Sequence, residues 1–266
     1  MPRPAPQRPR SKGRAGALPE HERHLQRICG LAAVRALFER DPGRVKRLFF
    51  EPRMRRELGT FCQVLACAHK PYREVEASEL ARVAGTALHG GVAAIARPRR
   101  LAVLDPQAAR EWAQDGKPLL ILDGVGNPHN LGAIARSAAF FGLERIVLAE
   151  RPDQALPSDA SYRVAEGGLE YLTLFQARLP DALPGLRQGY RLVGTALERG
   201  AAPAPRRGER PAALILGNEE TGLDPATLAA CDEVVTIPGS GSVQSLNVAA
   251  VAAVLIYLLT RRPPGD

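Results

Sequence analysis

The second half of this chain is built from apolar runs of strand length. Four of its five runs end in a polar, glycine-rich tail, and this pattern constrains the fold more than any other feature. "PLLILDGV", "RIVLA", "RLVGTAL", "AALILGN" and "EVVTIPG" follow one another between residues 117 and 240. Helix-like segments lie between them, at 131–141, within 159–170, at roughly 178–187 and at 225–230. Continuous apolar strands alternating with helices belong to a parallel sheet covered on both faces. Ligands of such sheets sit beyond the carboxyl ends of the strands. The tails "DGVGNPHNLG", "GTALERG", "GNEETGL" and "PGSGSVQSLN" are therefore the place to look for a site.

The last segment adds a second constraint. From Val248 to Leu259 no side chain is polar except for the hydroxyl of Tyr257. The run is 12 residues long, too short to span a bilayer, and a helix apolar on every face must be covered on every face. No stretch resembles a membrane span or a secretory signal, so a soluble cytoplasmic protein is expected. Cys29, Cys62, Cys67 and Cys231 show neither CxxC spacing nor nearby histidine pairs, which points to reduced thiols and to no metal.

The first half reads differently. Residues 1–17 are rich in Pro, Arg and Gly and offer almost nothing apolar, the composition of a disordered basic tail. Residues 18–97 read as a small α/β module. Leu25, Ile28, Leu31, Val34 and Leu37 keep helical spacing, with Gly30 as an opening turn before a helix over 31–40. "VKRLFFE", "YREVE" and "GVAAIAR" read as strands. "MRRELGTFCQVLACAHK" reads as a helix interrupted near Gly59, and "SELARVAG" as a helix capped by Ser78 and stopped by Gly85. Residues 98–116, with "DPQAAREWAQDG", form a connector of at least one helical turn. A second domain then occupies 117–266.

Charge separates the two halves. Residues 1–116 hold 22 basic and 12 acidic side chains, against 14 and 16 in residues 117–266. All of the net +8 therefore resides in the first half, which suits an anionic partner such as nucleic acid bound at one end. A basic surface that is merely solvated would give the same count.

Common nucleotide signatures are missing. "GVGNPH" has His129, and "GSGSVQ" has Gln244, where a dinucleotide fingerprint needs its third glycine. There is no phosphate-cradling loop and no nucleophile elbow. Three segments remain. In "NPHNLGAIARSAAFFGL" (127–143) Asn130 can cap the following helix, Gly132 lets another backbone approach, and Arg136 shares the face of Gly132 four residues on. Arg136 would project towards whatever docks at the strand ends. In "LILGNEETGL" (214–223) a buried strand runs into Gly217, Asn218 and Glu219. In "IPGSGSVQSLN" (237–247) a stiff loop leads to Ser245 and Asn247 at the mouth of the apolar helix. Taken singly, these residues read equally well as a solvated arginine, an ordinary turn and helix caps.

Together and in this order they resemble the three motifs of the SpoU (TrmH) branch of the SPOUT RNA methyltransferases, across residues 117–260. "GLAAVRALFE" and "HGGVAA" resemble the ribosomal-protein-L30-like substrate-binding module fused to many members. The resemblance implies an α/β fold: a C-terminal parallel-sheet SPOUT domain with a deep trefoil knot, behind a small N-terminal α/β domain. It implies S-adenosylmethionine as methyl donor, no metal, and an RNA ribose 2′-hydroxyl as acceptor. Ribosomal RNA of the 23S type is favoured, with tRNA, or an inactive RNA-binding relative, as alternatives. It further implies a homodimer through the knotted domain, with the last helix at the interface. Gly217, Asn218, Ile237, Pro238, Leu246 and Asn247, with Thr195, match the positions that hold the methyl donor. Arg136, Asn130, Glu219, Ser245 and Asn247 match the polar set around the reacting centre. His89 and His129 sit beside glycine turns and are weaker candidates for a base. One departure is the opening "NVAAVAAV" of the last helix, with alanines where many relatives carry a serine.

Overall fold

A computed structural model describes residues 24–197, 200–203 and 210–260. The tail expected at 1–17 lies outside the described residues. The chain enters through β1 (Gln26–Cys29), turns at Gly30 and runs into α1 (Leu31–Arg40). β2 (Val45–Phe50), α2 (Arg55–Cys67), β3 (Tyr72–Glu74), α3 (Ala77–Ala84) and β4 (Val92–Ala96) complete a four-stranded sheet of order β1-β4-β2-β3.

Three local expectations need correction. Leu25 and Ile28 are at helical spacing with Leu31, yet Ile28 is a fully buried residue of β1. A positive φ of 90° at Gly30 breaks the helical period there. α2 runs unbroken through Gly59. An interior glycine costs a helix only about 1 kcal/mol against alanine, which burial of Leu58 and Leu65 offsets at ~1.5–3 kcal/mol each. α3 begins after Glu76, so Ser78 lies within its first turn and is not its cap. Gly85, left-handed at φ 67°, does end it.

The larger sheet holds seven strands in the order β11-β9-β10-β6-β7-β8-β5, every pairing parallel. Its outermost strand is β5 (Ala102–Val103), followed by α4 (Pro106–Gln114). Residues 98–116 thus contribute a strand and a covering helix to this sheet. Their apolar content is low because one stripe alone is buried, Leu104 and Ala109 with Trp112 against Phe175 at 4.8 Å. β6 (Leu119–Asp123), α5 (Pro128–Phe140), β7 (Arg145–Ala149), α6 (Asp159–Ala165), β8 (Thr173–Ala177), α7 (Leu179–Leu186), β9 (Arg191–Thr195), β10 (Ala212–Gly217), α8 (Pro225–Ala230), β11 (Glu233–Val235) and α9 (Val248–Thr260) follow.

Strand alternation assigns the two faces. Leu119 and Ile121 of β6 meet the layer of α4 and α7, while Leu120 and Leu122 meet the layer of α5, α6 and α9. α9 covers β10 and packs on α5. Ala252, Leu255 and Ile256 are buried there, but Val254 and Tyr257 remain 40% and 49% exposed. Among the described residues no helix is long and apolar enough to cross a membrane.

The two sheets share one continuous core and a buried polar joint. Arg44 of the small domain donates through Nη1 to both carboxylate oxygens of Glu170 at 2.9 Å, and through Nη2 to the hydroxyl of Tyr162 at 3.1 Å. Gln26 donates to the carbonyl of Pro157, and Arg27 pairs with Asp159. Burial pushes the Tyr162 hydroxyl up to about 12, so it stays protonated and able to donate.

Candidate functional site

The carboxyl ends of β9 and β10 and the segment leading from β11 to α9 enclose a cleft that opens to solvent, at the strand ends where ligands of parallel sheets bind. Its walls are apolar where α9 and its approach contribute Ile237, Leu246, Val251 and Leu255. Its rim is polar, with Asn218, Glu219, Glu220 and Ser245. Close approach makes the floor possible. A Cβ on Gly217 would stand 2.4 Å from the carbonyl carbon of Gly222 and from the nitrogen of Leu223. Asn218 fixes the tight return, donating to the carbonyl of Gly124 and accepting from the amides of Glu220 and Thr221.

The three sequence motifs meet through one side chain. Asn130 is buried to 9% exposure, donates to Glu219 at 2.6 Å and accepts from the Asn247 amide at 3.1 Å. It is therefore not the cap of α5. That position belongs to Asn127, which accepts from the amide of His129, and Pro128 at the first helical position sets the start two residues before Asn130. Asn247 does act as a cap, accepting from the amide of Ala249. A bond to a charged acceptor is worth about 1.5–3 kcal/mol, so the Asn130–Glu219 contact ties the rim of the cleft to α5.

Of the residues expected to hold a methyl donor, Thr195, Gly217, Asn218, Ile237 and Leu246 line the cleft. The Thr195 hydroxyl donates to the carbonyl of Ile215 at 3.1 Å. Pro238 is exposed and Asn247 sits at the rim; neither is among the lining residues. Glu219 and Ser245 of the expected reacting set line the cleft.

Arg136 stands apart. It shares a face with Gly132 as its spacing requires, but that face meets α6 and its C-terminal turn, not the strand ends. A Cβ on Gly132 would strike the carbonyl oxygen of Ser161, and Arg136 pairs with Glu166 at 3.0 Å, both about half exposed. His129 is exposed outside the lining. His89 is buried in the small domain, accepting from the amide of Gly91.

Two supports of the site carry no motif. Gln154 is buried and accepts from the amide of Gly124 while donating to the carbonyls of Val125 and Ala155, so it fixes the β6–α5 loop. Asp123, buried at the end of β6, accepts from Arg151 and from the amide of Asp224. The only trace of Asp123 in the sequence is a charge at the end of an apolar run. Among the described residues no cluster of metal-binding side chains exists.

A parallel sheet whose cleft is made by the C-terminal return of the chain, and not by a glycine-rich turn after its first strand, is the architecture of the SPOUT methyltransferases. The SpoU rRNA methylase family model matches residues 117–257. A model described as RNA 2′-O ribose methyltransferase substrate binding matches residues 27–102. The chain belongs to the SpoU rRNA methylase family. It is 32% identical to the 23S rRNA (guanosine-2′-O-)-methyltransferase RlmB of Acinetobacter baylyi, over 89% of this chain and 97% of that protein. It is also 32% identical to the uncharacterized tRNA/rRNA methyltransferase YfiF of Escherichia coli O157:H7, over 86% of this chain and 66% of that protein. The AdoMet-bound rRNA methyltransferase from Sinorhizobium meliloti superposes with a TM-score of 0.73 at 22% identity, covering 90% of this chain and 88% of that one; the likeness is one of fold.

Proposed function

We propose that this protein transfers a methyl group from S-adenosylmethionine to a ribose 2′-hydroxyl of ribosomal RNA of the 23S type. The observation that carries the reading is the meeting of the three motif segments at the rim of one apolar cleft, through Asn130, Glu219 and Asn247. The family match and the RlmB relatives support the reaction and the class of RNA.

The cleft suits such a donor chemically. Ile237, Leu246, Val251 and Leu255 offer an apolar slot for a purine, and the exposed carboxylates of Glu219 and Glu220 suit a cationic ligand. S-adenosylmethionine supplies a methyl group on a sulfonium, already electrophilic. What the protein must add is alignment and a route for one proton. Gly217 and Asn218 shape the cleft, and Pro238 stiffens the loop before it. Asn130 and Asn247 fix the Glu219 carboxylate and the start of α9, with Ser245 between them. A guanidinium has a pKa above 12 and does not take a proton near neutrality. We assign Arg136 to orienting the phosphate or hydroxyl of the RNA.

Residues 18–97 act in this reading as the RNA-binding module, with the excess positive charge of the first half, and residues 117–266 as the catalytic domain. The protein acts in the cytoplasm, where the ribosomal RNA is. A second copy covers α9, whose Val254 and Tyr257 lie exposed, Tyr257 against Phe141 and Phe141 against the exposed Phe140, giving a closed two-fold dimer. Titration calorimetry tests the cofactor assignment. S-adenosylmethionine should bind with micromolar-scale affinity, on the order of −8 kcal/mol, and NAD should not. Binding of NAD and not of S-adenosylmethionine would overturn the assignment.

A further inference from the structure

The segment from Glu166 to Leu172 lies between the two domains and touches the candidate reacting arginine from one side and the small domain from the other. Glu166 ends α6 in the left-handed region, at φ 46° and ψ 42°. Glycine adopts that conformation freely and glutamate does not. Only one other described residue that is not glycine, His69, has a positive φ. A strained side chain at such a position points to a task for the side chain. Here the carboxylate meets Arg136 at 3.0 Å.

The next residues are clamped. A Cβ on Gly168 would stand 2.9 Å from the Cα of Arg136, and one on Gly167 would stand 2.9 Å from the Cβ of Ala36 in α1. Arg99 donates to the carbonyls of Leu169 and Leu172. Glu170 takes the buried Arg44 pair, and the Tyr171 hydroxyl donates to Glu39 of α1 at 2.7 Å. The small domain and the stretch just after it thus fix the strip of backbone that presents Glu166 to Arg136.

We propose that Glu166 is a positioning residue for Arg136, and that the clamped segment 166–172 makes the placement of this arginine depend on how the small domain is docked. RNA held by the small domain is then sensed at Arg136 through packed backbone, without a hinge between recognition and reaction. A half-exposed ion pair is weak enough to reorganise when a phosphate arrives, so Glu166 aims the guanidinium without competing strongly for it. The inference rests on the role assigned to Arg136, and the test separates the two.

Single-turnover methylation of 23S rRNA is measured for the full chain carrying Arg136→Ala, Glu166→Gln, both together, Tyr171→Phe, and Tyr171→Phe with Glu166→Gln. Melting temperature, S-adenosylmethionine affinity and RNA affinity are measured alongside. Arg136→Ala should slow the step roughly 100-fold; a near-normal rate sinks the arginine assignment, and this inference with it. Glu166→Gln should slow the step on the order of tenfold with both affinities unchanged, and should have no further effect in the Arg136→Ala background, because the two act as a unit. Tyr171→Phe should slow it a few-fold alone and not at all beside Glu166→Gln. A Glu166→Gln enzyme as fast as the parent, or faster, overturns the inference. So does a tenfold loss that persists without Arg136, or a Tyr171→Phe enzyme that is fully active.

Discussion

Replacing Asn130 by Asp changes one atom in kind and reverses the electrostatics of the rim. In the parent protein the Asn130 amide donates to Glu219 at 2.6 Å and its oxygen accepts from Asn247 at 3.1 Å. Alanine here removes one charge-assisted bond of about 1.5–3 kcal/mol and one neutral bond of about 0.5–1.5 kcal/mol. Glu219 and Asn247 are both exposed and regain water, so the net loss should fall near 1–2 kcal/mol. Aspartate keeps the shape but sets a buried carboxylate beside another. At about 4 Å this repulsion amounts to ~1 kcal/mol in water and ~4 kcal/mol at an effective dielectric constant of 20. Asn130→Asp should therefore be less stable than Asn130→Ala at pH 8. The sign reverses on acidification. Repulsion raises the pKa of the folded pair above that of the unfolded chain, so the pair binds more protons folded than unfolded and stability recovers as pH falls. Urea unfolding and S-adenosylmethionine titration at pH 8 and pH 5.5 measure both effects. An aspartate variant as stable as the parent at pH 8, or one that weakens relative to alanine as pH falls, would refute the contact and the role given to it.

Other consequences are as direct. Gly217→Ala places a Cβ 2.4 Å from backbone atoms of Gly222 and Leu223; the strand end must shift, at about 1–3 kcal/mol of stability, and S-adenosylmethionine affinity should drop with it in calorimetry. Burial pushes the Tyr162 and Tyr190 hydroxyls up to about 12 from an ordinary 10. The unfolded chain then loses these protons first, so stability should be steady up to pH 10 on their account. It should fall between pH 10 and 12, by on the order of 2–3 kcal/mol per tyrosine, and a flat urea midpoint over that range would contradict it. Val254→Glu charges the exposed side of α9 without touching the buried Ala252, Leu255 and Ile256. Light scattering should show a dimeric parent and a monomeric variant, and a monomeric parent would remove the dimer from the account.

The catalytic fold was legible because its signals are local. Each apolar run between Leu119 and Val235 is a strand whose neighbours in sequence cover it, and the site follows from where those strands end. Asn130 shows where the legibility stops. An asparagine four residues into "NPHN" reads as a cap, but Asn127–Pro128 wins the cap and leaves Asn130 facing inwards, where its partners come from residues 89 and 117 positions away. Spacing cannot show such contacts. The connector at 98–116 was misleading for a related reason, since an edge strand of two residues and a helix buried along one stripe have too few apolar positions to announce a layer. The joint at Arg44 and Glu170 was invisible, because a buried ion pair 126 residues apart looks in sequence like two ordinary surface charges. Its consequence is practical. Removing the first 97 residues would take Arg44 from the buried Glu170 and leave it only Arg99, at 3.8 Å, so the catalytic domain is not expected to stand alone undisturbed.

The central claim is the transfer itself, and one measurement reaches it without intermediate inference. Unmodified 23S rRNA and unmodified tRNA are each incubated with the full chain and S-adenosylmethionine carrying a labelled methyl group, then digested and mapped by mass spectrometry. The account predicts the label on a ribose 2′-oxygen of the 23S RNA, at one nucleotide, and its loss with Arg136→Ala. Label on a base, or none on either RNA from protein that binds S-adenosylmethionine, would contradict it.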